Sequence, residues 1–173
     1  HFLDRAEECE VDLIADGSNV QIIGMMEHIE PAGIHSGDSY AVLPPFNLSD
    51  AVISQMKDYA HQLALALKVK GLLNIQYAVK NEKVYVIEAN PRASRTVPFI
   101  AKAHQVPYIN IATKIMLGVN RLSDFDIKPV QFGYAIKEPV FSFEKFADVN
   151  KELGPEMKST GEAIRFIDSI EDA

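Results

Sequence analysis

Short runs of alternating apolar and polar residues open the chain and predict an antiparallel hairpin. The segment Glu10–Asp16 has the pattern of a strand, the turn-forming Gly17–Asn19 follows, and Val20–Ile29 has the pattern of a returning strand. A polar, Gly-rich stretch over Pro31–Ser39 then predicts a loop, and Tyr40–Leu43 predicts a further short strand. Because adjacent strands are joined by tight turns, the pattern favours an α+β fold with a mostly antiparallel sheet over a doubly wound sheet.

Apolar residues at helical spacing predict one long helix followed by shorter ones. Ser49 is a candidate N-cap for the long helix. Shorter helical patterns follow at Val97–His104 and Ile109–Leu117, and a weak one covers Phe143–Leu153. Gly154–Ala163 is predicted to be a loop. The apolar positions of the long helix are Val52, Ile53, Met56, Tyr59, Ala60, Leu63, Ala64 and Leu67.

The segment Leu72–Asn90 predicts a second hairpin, and its register decides which polar side chains share a face. A two-residue loop pairs Gln76 with Ile87 and mixes polar and apolar side chains on both faces. A three-residue loop, Asn81–Lys83, pairs Gln76 with Glu88 and separates the two kinds of side chain. We therefore predict the three-residue loop, which is common in hairpins. The apolar face in this register consists of Ile75, Tyr77, Val79, Tyr85, Ile87 and Ala89.

In the predicted register, oxygen donors meet at one end of this hairpin. Gln76, Glu88 and Asn90 lie close together, because directly opposed residues are about 4.5–5.5 Å apart. One carboxylate and two amide oxygens suit Mg²⁺, which shares its coordination with phosphates and water. Arg92 and Arg95 follow, and guanidinium groups beside a metal would neutralise a transferring phosphoryl group. These residues alone leave an alternative open, in which the hairpin end holds ordinary strand-end polar residues and the arginines are simply solvated.

Composition narrows the class of protein. The chain has 173 residues, 47% of them hydrophobic, which is enough for one core or two small lobes and excludes a disordered chain. Lys and Arg number 17 against 24 Asp and Glu, and a net charge of −7 argues against a nucleic-acid partner. No apolar run is long enough to span a membrane. The single Cys9 is typical of a reducing, cytoplasmic compartment.

Motifs exclude several kinds of site. The chain has no P-loop, no GxGxxG after a strand, no HExxH and no paired CxxC. Ser36 and Ser39 lie near His35, but the absence of a nucleophile elbow argues against a hydrolase. The isolated histidines are interpreted as structural or surface residues: His28, His61 and His104.

Four segments closely resemble the large subunit of carbamoyl phosphate synthetase. They are MEHIEPAGIHSGDS at 26–39, NIQYAVK at 74–80, VYVIEANPRASRTVPF at 84–99 and GPEMKSTGE at 154–162. The resemblance implies an ATP-grasp module, and the combination is more similar to the half of that subunit that phosphorylates carbamate. It further implies the C-terminal lobe of the module at residues 1–120. The final strands, a helix and a linker toward the next domain would occupy 121–173.

The resemblance implies a nucleotide site in the first third of the chain. Leu3 falls on the connection that contacts adenine, and Glu8 on the carboxylate that accepts hydrogen bonds from the ribose hydroxyls. The loop that would line the nucleotide consists of Gly33, Ile34, His35 and Ser36.

The resemblance also implies roles at the hairpin end. Gln76, Glu88 and Asn90 would be metal ligands, with Gln76 and Glu88 also on the nucleotide side. Glu88 would bridge two Mg²⁺ or Mn²⁺ ions between the β- and γ-phosphates. Arg92 would lie at the transferring phosphate, and Arg95 would serve the carbamate step.

Ligands, partners and alternatives follow from the same resemblance. ATP, two divalent ions and K⁺ as a further cation are implied, with carbamate as the second substrate. The implied partners are the glutaminase small subunit and the rest of the large subunit, in arginine or pyrimidine biosynthesis. Because the chain begins at His1 without the first half of such a module, we expect it to be inactive alone. The alternatives are a different ATP-grasp ligase, or a structural fragment that binds no nucleotide by itself.

Overall fold

The computed structural model describes residues 3, 5–130, 132–145 and 150–172. The strands are β1 (Glu7–Asp16), β2 (Val20–Pro31), β3 (Ala41–Leu43), β4 (Lys70–Lys80), β5 (Lys83–Asn90), β6 (Tyr134–Val140) and β7 (Gly161–Ile167). The helices are α1 (Asp50–Ala66), α2 (Thr96–His104) and α3 (Tyr108–Met116). Short 3₁₀ turns lie at Ser36–Asp38, Leu122–Asp124, Phe143–Lys145 and Ile170–Asp172.

The strands of the described residues form one seven-stranded sheet in the order β5-β4-β1-β2-β3-β6-β7. Every neighbouring pair is antiparallel. The predicted α+β class, an antiparallel sheet flanked by helices, is confirmed. Strands β6 and β7 come from the later part of the chain, and they extend the same sheet beyond β3.

The two faces of the sheet carry separate apolar cores. Helix α1 covers one face, where the odd-numbered residues of β1, such as Val11 and Leu13, pack with Met56 of the helix. Helices α2 and α3 cover the other face, where Ile14 packs with Ile100. Successive side chains of a strand point to opposite faces, so the even-numbered residues of β1 all belong to the α2–α3 face.

A close backbone approach positions α2 on that face. A Cβ atom on Gly24 of β2 would lie 2.6 Å from Cδ1 of Ile100, so the contact depends on glycine. Ile100 is fully buried, and burial of such a side chain contributes roughly 1.5–3 kcal/mol. The first turn of α2, which follows Arg92 and Arg95, is therefore held against the sheet.

The β4–β5 hairpin reaches the predicted pairing by a different route. Its loop is a two-residue turn, with Asn81 and Glu82 at φ 51° and 60°, as a type I′ turn requires. The predicted three-residue loop is therefore wrong. A bulge at Ile87 then shifts the register by one residue, and Gln76 pairs with Glu88 as predicted. The bulge supplies the extra residue that the loop was expected to contain.

The side chains between the turn and the bulge differ from the prediction. Val84 is buried opposite Val79, whereas Tyr85 and Ile87 are 41% and 52% exposed. The expected placement of Tyr85 and Ile87 on the apolar face is wrong, because a one-residue slip moves each side chain to the other face.

Two predictions for the later part of the chain are also corrected. The helix expected over Phe143–Leu153 is a 3₁₀ turn at Phe143–Lys145, residues 146–149 lie outside the described residues, and 150–153 have no regular structure. The loop expected over Gly154–Ala163 ends early, because β7 begins at Gly161. Pairing of β7 with β6 overrides the weak local preference of this segment.

Among the described residues, no helix is both long and apolar enough to cross a bilayer.

We expect Lys68→Gly to stabilise the chain. Lys68 is exposed, follows the C-cap of α1 and has φ 51°, a left-handed conformation that costs a non-glycine residue about 1 kcal/mol. The free energy of unfolding, measured by chemical denaturation, should rise by about that amount. In the matched control, Lys57→Gly inside the same helix, it should fall by about 1 kcal/mol. A Lys68→Gly chain no more stable than the parent would contradict the assignment of this helix end.

Candidate functional site

A strip of polar side chains crosses β1, β4 and β5 on the α2–α3 face. On β1, the apolar Ile14 gives way to Asp12, Glu10 and Glu8 at alternate positions, and each of these carboxylates is buried. Polar residues of β4 and β5 lie opposite Glu10 and Asp12 in register. The strip has two rows, with Glu10, Gln76 and Glu88 in one and Asp12, Asn74 and Asn90 in the next.

The hairpin end of this strip gathers the residues predicted to bind metal. Asn90 Nδ2 donates to Glu88 Oε1 at 2.9 Å, and Gln76 Nε2 donates to Ser36 Oγ at 3.3 Å. Because both amide nitrogens are engaged as donors, the amide oxygens are available as ligands. One carboxylate with two amide oxygens is a hard donor set that fits Mg²⁺ or Mn²⁺.

A cavity of about 340 Å³ lies beside the hairpin and is called the hairpin cavity. Its wall contains every residue predicted for the nucleotide side except Leu3, which is half-buried elsewhere near the start of the chain. The lining consists of Glu8, Gly33, Ile34, His35, Ser36, Gln76, Ile87, Glu88 and Pro155.

A second cavity, of about 120 Å³, contains both predicted arginines and is called the arginine cavity. His35, Ser36 and Gln76 line both cavities, so these residues form the wall between them. The remaining lining residues are Glu10, Gly37, Asn74, Arg92, Ser94, Arg95, Thr96, Lys137 and Glu162. Asn90 belongs to neither lining and reaches the site through its bond to Glu88.

The loop between β2 and β3 is held in place by the segment before β7. The His35 N–H donates to the carbonyl of Gly154 at 2.8 Å, and His35 Nδ1 accepts from the Gly37 N–H at 3.0 Å. The buried Asp38 carboxylate accepts from the backbone N–H groups of Lys158 and Ser159. Segments more than 100 residues apart in the chain therefore form one edge of the site.

A buried histidine connects the carboxylates of β1. His28 Nε2 lies 3.3 Å from Glu10 Oε1, and His28 Nδ1 lies 3.8 Å from Glu8 Oε1. Burial alone would raise the pKa of Glu10, but His28, Lys137 and Asn74 together lower that pKa, with His28 the largest of the three contributions. Burial raises the pKa of Glu8, with His28 and the Gly33 N–H opposing the shift. The interpretation of His28 as a structural residue is consistent with this bridging position.

The arginine cavity contains a buried lysine that the sequence did not single out. Lys137 of β6 is 1% exposed, and its Nζ donates to the carbonyl of Ser36 at 2.6 Å. Arg95 Nε lies 3.6 Å from Glu162 Oε1. Burial raises the pKa of Glu162, although Lys137 and Arg95 oppose the shift. The cavity thus combines cationic side chains with the buried Glu10 and the half-buried Glu162.

Asp12 lies at the apolar end of the polar strip, where the hydroxyl groups of Ser94 and Thr96 reach it. Its Oδ1 accepts from Ser94 Oγ at 2.7 Å and its Oδ2 from Thr96 Oγ1 at 2.6 Å. Asn74 Nδ2 donates to Asp12 at 3.2 Å. Burial and then the nearby Glu10 raise the pKa of Asp12 to about 7, despite these hydrogen bonds.

Some of these unpredicted residues had a signal in the sequence and others did not. Glu10 and Asp12 alternate with the predicted Glu8 in EECEVD, which is the period of a strand with one acidic face. Lys137 occurs in a segment with no local motif, and Glu162 ends the family-like segment at 154–162 without having been assigned a role. The pairing of β6 and β7 brings both residues to the site.

Comparison with solved structures defines the class of fold. The chain superimposes on the biotin carboxylase domain of a single-chain bacterial carboxylase with a TM-score of 0.71 and 20% identity, over 83% of this chain and 34% of that one. For the biotin carboxylase–β,γ-ATP complex from Campylobacter jejuni the TM-score is 0.67, with 20% identity over 82% and 31% of the two chains. At this identity the likeness shows the fold alone, which is the ATP-grasp fold.

Sequence comparison then shows the family. The family model described as carbamoyl-phosphate synthase L chain, ATP binding domain matches residues 1–123. The carbamoyl phosphate synthase large chain of Archaeoglobus fulgidus is 55% identical over 165 residues, which cover 94% of this chain and 15% of that protein. That of Acidobacterium capsulatum is 49% identical over 181 residues, which cover 100% and 16%. The chain belongs to this family, as its resemblance predicted, and spans only about 15–16% of these relatives' length.

We expect the stability of the chain to depend on pH through Asp12. The ordinary pKa of this carboxyl is 3.8, and burial raises the pKa to about 7 in the fold, so the folded state keeps this proton to higher pH than the unfolded state. The contribution of Asp12 to the free energy of unfolding therefore falls between about pH 4 and 7. An Asp12→Asn chain lacks this decrease, and its stability relative to the parent should improve across that range in chemical denaturation.

Thr96→Val is the matched control for this measurement. It removes one hydrogen bond at the same place but keeps the Asp12 carboxyl. The parent and the control should both show the decrease. A constant difference between the parent and Asp12→Asn from pH 4 to 7 would contradict the raised pKa.

Proposed function

We propose that this chain is the metal- and nucleotide-holding lobe of the ATP-grasp module that phosphorylates carbamate in a carbamoyl phosphate synthase. The observation that carries this proposal is the pairing of Gln76 with Glu88 at the wall between the two cavities. It joins a donor set for a divalent ion to a pocket that contains Arg92 and Arg95. The family of the chain supports the same assignment.

The hairpin cavity is the proposed nucleotide site. Its size, about 340 Å³, and its open position beside the metal-binding donor set suit a nucleotide whose phosphates point toward Gln76 and Glu88. We assign the ribose hydroxyls to Glu8, the adenine to the connection at Leu3, and the flank of the nucleotide to the loop at 33–36. We further propose that the complete module binds K⁺, as the resemblance to the family implies.

The hairpin end is the proposed site for two Mg²⁺ or Mn²⁺ ions. Gln76, Glu88 and Asn90 would hold them, with Glu88 shared between the ions. When bound, these ions neutralise negative charge on the β- and γ-phosphates.

The arginine cavity is the proposed site of phosphoryl transfer. A carbamate oxygen attacks the γ-phosphorus of ATP, the bond to the β–γ bridging oxygen breaks, and carbamoyl phosphate and ADP leave. Arg92 neutralises charge on the transferring group, and Arg95 orients the carbamate. The small volume and the cationic wall, to which Lys137 contributes, suit a small anion. The contribution of the protein is positioning and electrostatics, without an acid–base step.

The wider context of the module is also a proposal. The relatives are about six times longer than this chain, so other parts of the large chain would complete the site. A glutaminase small subunit would supply ammonia, and the product would enter arginine or pyrimidine biosynthesis in the cytoplasm. Another ATP-grasp ligase is less well supported, since the biotin carboxylase likeness is at 20% identity.

We expect Glu88→Gln in the full-length large chain to lower carbamoyl phosphate formation by at least about 100-fold. The change keeps the size of the side chain but removes the one carboxylate of the proposed metal site, and with it most of the charge compensation for the phosphates. Initial rates of carbamoyl phosphate formation measure the effect. Glu144→Gln, an exposed carboxylate in neither lining, is the control and should leave the rate unchanged. Normal turnover by Glu88→Gln would contradict the role of Glu88.

Calorimetric titration of the 173-residue chain with Mg·ATP distinguishes the proposal from a structural fragment. We expect binding without turnover, because the carboxylate and the loop at 33–36 are present while the other lobe is not. The Glu88→Gln chain should lose the binding heat. A chain that is folded but gives no binding heat would support the structural-fragment alternative.

A further inference from the structure

The backbone on both sides of Arg95 is tied to the centre of the sheet. Ser94 and Thr96 flank this arginine, and their hydroxyl groups donate to the two oxygens of the Asp12 carboxylate at 2.7 and 2.6 Å. The two hydroxyl oxygens also lie 2.7 Å from each other. Hydrogen bonds therefore fix the backbone at the residue before Arg95 and at the residue after it.

Asp12 is itself rigidly placed. It is 1% exposed and lies in β1, which is flanked by strands on both sides. Asn74 Nδ2 donates both to Asp12 Oδ1 at 3.2 Å and to Glu10 Oε2 at 3.1 Å, which fixes the carboxylate from the neighbouring strand. The bonds from Ser94 and Thr96 are short and lie in the buried interior, where a hydrogen bond is stronger than in water, so they hold the backbone beside Arg95 firmly.

The same tie sets the start of α2. Ser94 Oγ accepts from the Val97 N–H at 3.2 Å, which is the bond expected of a helix cap, while the Arg95 side chain makes no capping bond. Asp12 therefore holds the group that caps the helix. The direction in which Arg95 leaves the backbone depends on this arrangement.

The side chain of Arg95 is less firmly held than its backbone. It is 42% exposed, its Nε is 3.6 Å from Glu162 Oε1, which is longer than a hydrogen bond, and its Nη1 contacts the thioether sulfur of Met157, a weak acceptor. A long, flexible side chain of this kind reaches a defined point only if the backbone that carries it is fixed. Ser94, Arg95 and Thr96 line the arginine cavity, whereas Asp12 lies behind them and is absent from its lining.

We propose that Asp12 is a positioning residue, which acts through Ser94 and Thr96 to hold Arg95 at the wall of the arginine cavity. This inference rests on the proposed function, because the purpose of the placement is the carbamate step assigned to Arg95. Asp12 touches neither substrate in this assignment. Its effect should appear in the rate of phosphoryl transfer and be absent from nucleotide binding, since Glu8, Gln76 and Glu88 keep their places.

A double-mutant cycle between Asp12 and Arg95 in the full-length large chain tests this inference. We expect Asp12→Ala to lower kcat for carbamoyl phosphate formation about 10- to 100-fold, with the KM for ATP changed less than about threefold. In an Arg95→Ala background the same change should lower kcat less than about twofold, because the group that Asp12 positions is gone. A carboxylate that only stabilises the fold would lower kcat by the same factor in both backgrounds, and that result would overturn the proposal.

If Asp12→Ala fails to fold, variants that lack the hydroxyl groups of Ser94 and Thr96 test the same inference. Ser94→Ala and Thr96→Val leave the carboxylate in place and remove its donors, and together they should reproduce the fall in kcat at unchanged KM for ATP. Thr113→Val, which removes a hydroxyl bond to Ile109 on α3, is the control and should keep the parental kcat. Parental kcat in the Ser94→Ala/Thr96→Val enzyme would overturn the proposal.

The outcome also separates this inference from the proposed function. If Arg95→Ala lowers kcat but the Asp12 and hydroxyl variants do not, only the positioning role fails. If Arg95→Ala itself keeps parental carbamoyl phosphate formation, the role assigned to Arg95 fails, and the positioning role fails with it.

Discussion

Buried carboxylates on one face of β1 impose the constraint on which the rest of the site depends. Glu8, Glu10 and Asp12 are 5%, 2% and 1% exposed, and a buried charge is costly unless other groups donate hydrogen bonds to it. The donors come from distant parts of the chain. His28 on β2 lies between the first two carboxylates, and Asn74 on β4 bonds the last two. Satisfying these charges draws β2, β4 and the start of α2 together, and the two cavities form where they meet.

The hairpin shows how small backbone features decide the chemistry. A type I′ turn alone would place Ile87 opposite Gln76, and no donor set would form. The bulge inserts one residue and brings Glu88 opposite Gln76, while Ile87 moves to the wall of the hairpin cavity. Bulges are common next to active sites because they redirect a side chain without disturbing the rest of a strand.

The spacing of apolar residues and the capping residues predicted the helices and the early strands of the fold. The strands up to Leu43, the three helices and the pairing of Gln76 with Glu88 follow from polarity and capping residues. The loop of the hairpin was wrong, because polarity fixes a pairing without saying whether a loop or a bulge supplies the extra residue. The contact between Asp12 and Thr96 spans 84 residues, and no local pattern encodes it. The segments that resemble the family indicated the nucleotide and arginine residues. Lys137 lies outside those segments and reaches the site only because β6 joins the sheet.

We propose above all that Gln76 and Glu88 form a divalent-ion site at the junction of the two cavities. The most direct test is a crystal structure of the full-length large chain with Mn²⁺ and a non-hydrolysable ATP analogue, with the metal located by its anomalous scattering. We expect manganese peaks about 2.0–2.3 Å from the Glu88 carboxylate, with the Gln76 amide oxygen as a ligand. Manganese bound elsewhere in this lobe, with Gln76 and Glu88 free of metal beside an ordered nucleotide, would contradict it.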